Sequence, residues 1–355
     1  MRSRTAVTLL VVSAAALASA FQVSASAKPA HATATPTIAL SNAFLGNDWR
    51  QNMENVAKYA AARAPFKSAI KLEIVNTDNS PQAQSASVDG LVAKGVKAIV
   101  IDPASSTALN PAIKRACAAG VTVVAFDQAV TEPCAYNVVW DFKTPAYHAA
   151  LWMAQKMHGK GNIVLDQGAA GASVSADIVK GFKQAMAKYP NIKVVAKFQG
   201  NFSAAPTAQA MASILATNPQ IDGVYTQGYC SVVISALQRT HRPLVPMYCQ
   251  GFNINFVTCL KTKGAQCIGN PSPPGISTIA MKVALDVING KSPKKTTTVS
   301  LPLYATDTAP KIGVTYAKMA IGKTAFPKLP PGLTVPAIPP GFGVPAAPPS
   351  SMLGK

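Results

Sequence analysis

Two strand ends carry the residues most suited to chemistry. Residues 98–128 read AIVIDPASSTALNPAIKRACAAGVTVVAFDQ. An apolar run ends in Asp102-Pro103, a helix follows with Gly120 as its stop, and a second apolar run ends in Asp127-Gln128. Ligands of parallel sheets bind outside the carboxyl ends of the strands. A carboxylate delivered there can accept from two ligand hydroxyls, which makes Asp127 the leading binding candidate. Asp102-Pro103 reads as architecture, a strand exit that caps Ser105-Ser106 and shapes the loop. Other chemistry is poorly supported. His31, His148, His158 and His241 have no paired metal spacing, and Gly168–Gly171 lacks the Lys-Ser/Thr of a phosphate-binding loop. There is no Gly-x-Ser-x-Gly nucleophile turn. The expectation is a binding protein, not an enzyme, with no cofactor and no metal.

The elements that must position these residues alternate strand and helix. Strands are expected over 37–43, 70–75, 98–102 and 122–127, with helices over 51–64 and 82–94 between them, and Asp48 as a helix cap. An extended crossover at 138–142 leads into a second set. Helices are expected over 145–157, 176–189, 205–217 and 231–239, and strands over 161–166, 192–198, 223–227, 245–248 and 266–270. A glycine-rich loop spans 168–175, a long amphipathic helix 275–288, and an exit strand 296–303. Such alternation implies an α/β fold with right-handed crossovers, here as two similar halves of about five parallel strands each.

The chain has 355 residues, 49% apolar and 13% charged, with a formal charge of +19 that stems from having only 14 acids. No lysine block longer than Lys294-Lys295 occurs in the body, so a basic surface is a better reading than nucleic-acid binding. Arg2 and Arg4 precede an apolar stretch over 6–18, and small-residue cleavage sites follow at Ala18-Ser19-Ala20 and Ala25-Ser26-Ala27, the second favoured. This is the pattern of a signal peptide over 1–27, hence of a periplasmic or secreted protein. That junction has no cysteine, so a lipid-anchored form is not expected. Cys117, Cys134, Cys230, Cys249, Cys259 and Cys267 are disulfide candidates for an oxidising compartment, with 15 conceivable pairings. The most local arrangement joins 117 to 134, 230 to 249 and 259 to 267; buried free thiols are the alternative. Ten prolines between Pro310 and Pro349 mark a Pro-rich tail, expected to be disordered over 325–355.

Taken in order, TIAL…NDW, VNTDNSPQAQ, AIVIDPASSTAL, VTVVAFDQ, GAAGASVSADIVKGF, NPQIDGVY and the Gly-Phe-Asn at 251–253 resemble a periplasmic sugar-binding protein of the ribose-binding type over residues 36–305. The resemblance implies two Rossmann-like lobes joined by a three-segment hinge, the type I periplasmic binding protein fold. The lobes would span 36–139 with 270–301, and 140–269 with 302–310. It also implies capture of a sugar or polyol by a monomer that serves the permease subunits of an ABC importer. A sensor protein that presents its ligand to a chemoreceptor or sensor kinase is the alternative, as is a binder of a non-sugar small molecule. An export signal stands where a repressor of this fold carries its DNA-binding helices, so no nucleic-acid partner is expected.

Residue by residue, Asn47 and Trp49 match positions where the family places an amide and an aromatic. Arg50 replaces a second aromatic, and Gln128 stands where ribose-type proteins use an arginine. In the other lobe Phe202 matches an aromatic cleft position. Gln227 and Tyr229 occupy the loop of an asparagine-aspartate pair, and Asn253 replaces an aspartate. Asn270 resembles a hinge-side amide, and Trp140 lies in a crossover within reach of the ligand. Ile178 stands where a second-lobe arginine is usual. These departures imply a less charged cleft and a ligand other than ribose.

Overall fold

The computed structural model describes residues 34–250, 254–270, 272–301, 303–306 and 344. The expected signal peptide, Asn253 and most of the Pro-rich tail lie outside the described residues. All the elements below fall within one unit, residues 35–355.

The chain opens with β1 (Thr37–Asn42), α1 (Asp48–Ala61), β2 (Lys71–Asn76), α2 (Pro81–Ala93), β3 (Ala98–Asp102), α3 (Asn110–Ala118), β4 (Thr122–Asp127) and β5 (Tyr136–Trp140). A second series comes next: α4 (Lys143–Lys156), β6 (Lys160–Asp166), α5 (Ser173–Met186), β7 (Asn191–Phe198), α6 (Ala204–Thr217), β8 (Gly223–Thr226), α7 (Cys230–Arg239), β9 (Met247–Cys249), α8 (Ile254–Lys261) and β10 (Cys267–Gly269). The chain then returns through α9 (Ile276–Ile288) and β11 (Thr296–Val299), and crosses once more to β12 (Tyr304–Ala305).

Each lobe holds a six-stranded sheet, in the orders β11-β5-β4-β3-β1-β2 and β12-β10-β9-β8-β6-β7. Without their edge strands β11 and β12, the two orders are the same. The first sheet is parallel throughout, and in the second only β12 runs antiparallel. The chain passes between the sheets after Trp140, after Gly269 and after Val299.

Apolar runs buried on both faces explain why these segments form parallel strands. Val124 and Phe126 of β4 face one core with Met53, Val56 and Ala60 of α1. Val123 and Ala125 face the other with Val88, Leu91 and Ile113 of α2 and α3. Fully burying one such side chain contributes about 1.5–3 kcal/mol, so register is strongly fixed and both strand ends arrive at a defined edge.

Several expectations need correction. The exit strand over 296–303 ends at Val299, where the chain leaves the first sheet, and a separate strand, β12, then pairs with β10 in the second. The glycine-rich loop is shorter, since α5 already begins at Ser173. Helix α8 is an addition between β9 and β10, where the sequence pattern marks only a turn; its Phe256 and Cys259, three apart, are buried. The cap of α1 is Asn47, whose side chain accepts from the Arg50 N–H at 3.0 Å, and not Asp48.

The three disulfides are Cys117–Cys134, Cys230–Cys249 and Cys259–Cys267, the most local arrangement.

Candidate functional site

The loops after β1 and β4 bring Asn47, Asp48, Trp49, Arg50, Asp127 and Gln128 to one wall of a cavity. The loops after β6, β7, β8 and β9 bring Val174, Phe202, Gln227, Gly228, Tyr229 and Gln250 to the other. Ser272, in the second passage between the lobes, closes the back. The space measures about 770 Å³, including the part open to solvent, which suits a small ligand. Both walls are carboxyl edges of parallel strands, the location expected from the sequence.

Arg50 organises the first wall. It is 5% exposed, and its Nη1 lies 2.8 Å from Asp102 Oδ2 and 2.6 Å from Asn42 Oδ1. Its guanidinium also stacks 4.5 Å from the Phe44 ring centroid. The fully buried Asp102 is therefore the ion-pair partner of a cavity residue, which corrects its assignment to loop capping. Ser105 does that work itself, as its Oγ accepts from Thr107 and Ala108. Gln84, also fully buried, ties the strand exit down through bonds to Asp102 O (3.0 Å) and from Ala104 N (2.8 Å).

The Arg50 charge pairs directly with Asp102 and acts on Asp127 through its field. Burial first, and then repulsion from Asp102, push the Asp127 pKa well above the ordinary carboxylate value, against the pull of Arg50 and Trp140. Burial raises Asp102 too, while Arg50 and the Gln128 amide draw it down. The group thus retains a proton more readily than free aspartates do, so Asp127 can donate as well as accept. The backbone of Asp127 is left-handed, with φ 61°, a conformation that turns the chain sharply as it leaves β4.

The remaining predicted residues divide. Trp49 lines the cavity with its ring and donates from Nε1 to Ser272 O at 2.6 Å, bracing the passage between lobes. Phe202 (φ 51°) and Tyr229 supply aromatic surface opposite. Burial and then the Asp48 charge raise the Tyr229 pKa, so its hydroxyl stays protonated. Gln128 and Gln227 each hold a buried Oε1 without a protein partner. Trp140 does not line the cavity. It is 3% exposed beneath Asp127, near enough to lower that pKa but without a well-aligned hydrogen bond. Asn270 is likewise fully buried, its Oδ1 accepting from the Tyr248 hydroxyl. Ile178 is a core residue of α5. Sequence reasoning missed Asp48, Val174, Gly228, Gln250 and Ser272 as cavity residues. Gln250 had a signal, since it directly follows β9 as Asp127 ends β4.

At the rim the lobes touch. Ser106 N and Oγ donate to Gly171 O at 3.1 and 3.2 Å, and Ala129 N donates to Ser173 Oγ at 2.8 Å.

This geometry meets its counterpart among known proteins. A family model described as a periplasmic binding protein domain matches residues 38–292. The chain belongs to the periplasmic binding protein family. It is 34% identical to the xylitol-binding protein of Mycolicibacterium smegmatis over 46% of this chain and 48% of that one, so the match spans about half of that relative. The ribose import binding protein of Bacillus subtilis is 27% identical over 75% of this chain and 86% of its own. A crystal structure of an ABC transporter solute binding protein from Thermobispora bispora superposes with a TM-score of 0.69 at 32% identity, covering 80% of this chain and 91% of that one. The resemblance to the ribose-binding type and the two-lobed fold are thereby borne out.

Proposed function

We propose that this chain captures a neutral sugar or polyol between its two lobes and delivers it, as a monomer, to the permease of an ABC importer outside the cytoplasmic membrane. The observation that carries this reading is the convergence of both sheets' carboxyl edges on one cavity with a buried carboxyl-arginine cluster, amides and aromatic faces. Carboxyl and amide groups fork onto neighbouring hydroxyls, and aromatic rings cover the C–H face of a carbohydrate. Among the described residues, the ionisable acids and bases lining the cavity are Asp48, Arg50, Asp127 and Tyr229, and Arg50 is already committed to Asp102. That pairing disfavours an anionic ligand and favours a neutral one. The xylitol and ribose named for the relatives belong to the same chemical class. In this reading residues 1–27 are an export signal and 325–355 a Pro-rich tail. The lobes comprise 36–139 with 270–301, and 140–269 with 302–310, with Trp140 at the boundary pairing in the first sheet. A thermal-shift panel of pentoses, hexoses, pentitols, amino acids and small aromatic acids tests it. A sugar or polyol should raise the midpoint. Stabilisation by another class alone would overturn the reading.

A further inference from the structure

Asp166 ends β6 and is 2% exposed. Its partners are donors from three separate loops. Oδ1 accepts from Gly168 N at 2.8 Å and from Gly200 N at 2.9 Å. Oδ2 accepts from Gln227 N at 2.9 Å and lies 3.4 Å from Thr226 Oγ1. The Asp166 carbonyl also accepts from Gln227 Nε2 at 3.2 Å. Burial pushes the carboxyl's pKa up, and these N–H donors pull it back. The same loops carry Val174, Phe202, Gln227 and Tyr229 to the cavity. Two of the spokes are glycines for steric reasons. A Cβ at Gly200 would lie 2.7 Å from Asp166 Oδ2, and one at Gly168 would lie 2.1 Å from Ser175 Oγ.

We infer that Asp166 is the positioning residue of the second wall, a single buried carboxylate that sets the relative places of the three loops holding its ligand-facing side chains. This rests on the reading of the cavity as a solute site. An ionised carboxylate can accept from all of these groups at once, whereas an amide would turn its own hydrogens toward at least one backbone N–H. Hydrogen bonds to a charged acceptor are shorter and stronger than neutral ones, and the network leaves Gln227 Oε1 without a protein partner beside the cavity. The first wall uses the opposite solution, a cation paired with a buried carboxylate.

D166N tests the assignment. In the unliganded protein, followed by NMR, the amide protons of Gly168, Gly200 and Gln227 should shift upfield together and exchange at least tenfold faster. Among xylitol, D-ribose and L-arabinose, those that bind the wild type should bind D166N at least tenfold more weakly. Gly200→Ala keeps the carboxylate and breaks one spoke. Its Cβ presses on Oδ2, so it should disturb the Gly200 and Gln227 amides and spare that of Gly168, with a smaller loss of affinity, and it serves where D166N does not fold. Loosening at one loop only in D166N, or loosening of all three with affinity unchanged, overturns the inference. A wild type that binds none of the three probes counts against the proposed function instead, and the amide exchange still decides the role of Asp166.

Discussion

Arg50 offers one positive charge to two carboxyls, the fully buried Asp102 and the half-buried Asp127, and this imbalance governs the chemistry of the first wall. The folded-state pKa of Asp127 is raised from the ordinary 3.8 by burial and by Asp102. A group whose folded pKa is raised adds stability while protonated and loses it as pH climbs through the folded value. Below the ordinary aspartate value both states of the chain hold the proton. Above it only the folded state does, and past neutrality that advantage is gone. D127N removes the ionisation. The gap in thermal midpoint between D127N and wild type should therefore widen in favour of D127N as pH rises from 4 towards 8. A gap that stays constant across that range would contradict the raised pKa. Asp127 and Gln128 were legible in the sequence because a strand end needs only local pattern to be recognised. The Arg50–Asp102 pair was not, since it joins residues 52 positions apart whose proximity depends on β1 pairing with β3. The cap of α1 escaped for a local reason: Asn47 and Asp48 are adjacent and both able to cap, and only geometry chooses between them.

Among the elements, the loops after β3 and β4 and the start of α5 clasp one lobe to the other through hydrogen bonds. Ser173 opens α5, and its Oγ accepts across the cleft from Ala129 N. One net hydrogen bond is worth about 0.5–1.5 kcal/mol. Ser173→Ala should therefore raise the ligand dissociation rate roughly 2- to 10-fold, with association little changed, in stopped-flow measurements. An unchanged dissociation rate would remove the clasp. The disulfides at this level also bear on the site, because Cys230 follows Tyr229 and Cys249 precedes Gln250, so one crosslink joins two cavity loops. Helix and strand alternation made most elements legible. The failures came where tertiary context decides. Residues 254–261 have too short a helical period to stand out, and the 296–305 stretch is extended at both ends, so its change of sheet leaves no mark in the pattern.

For the whole molecule, the two sheets share one strand order and turn their carboxyl edges to the same cavity, linked by three passages. Hinge closure around a ligand accords with that connectivity. The fold was readable because repeated alternation implies topology. The ligand was not, because cavity chemistry emerges from six loops of two lobes brought together only by folding. Titration calorimetry paired with small-angle X-ray scattering, on wild type and Asp127→Ala, tests the central claim most directly. A neutral sugar or polyol should bind the wild type and shift the scattering population towards the compact closed form. Folded Asp127→Ala should lose about 5- to 100-fold in affinity, the expectation when a ligand hydroxyl is left without its hydrogen-bond partner at about 1–3 kcal/mol. Full affinity in Asp127→Ala, or binding without compaction, would contradict the capture of a neutral solute between closing lobes.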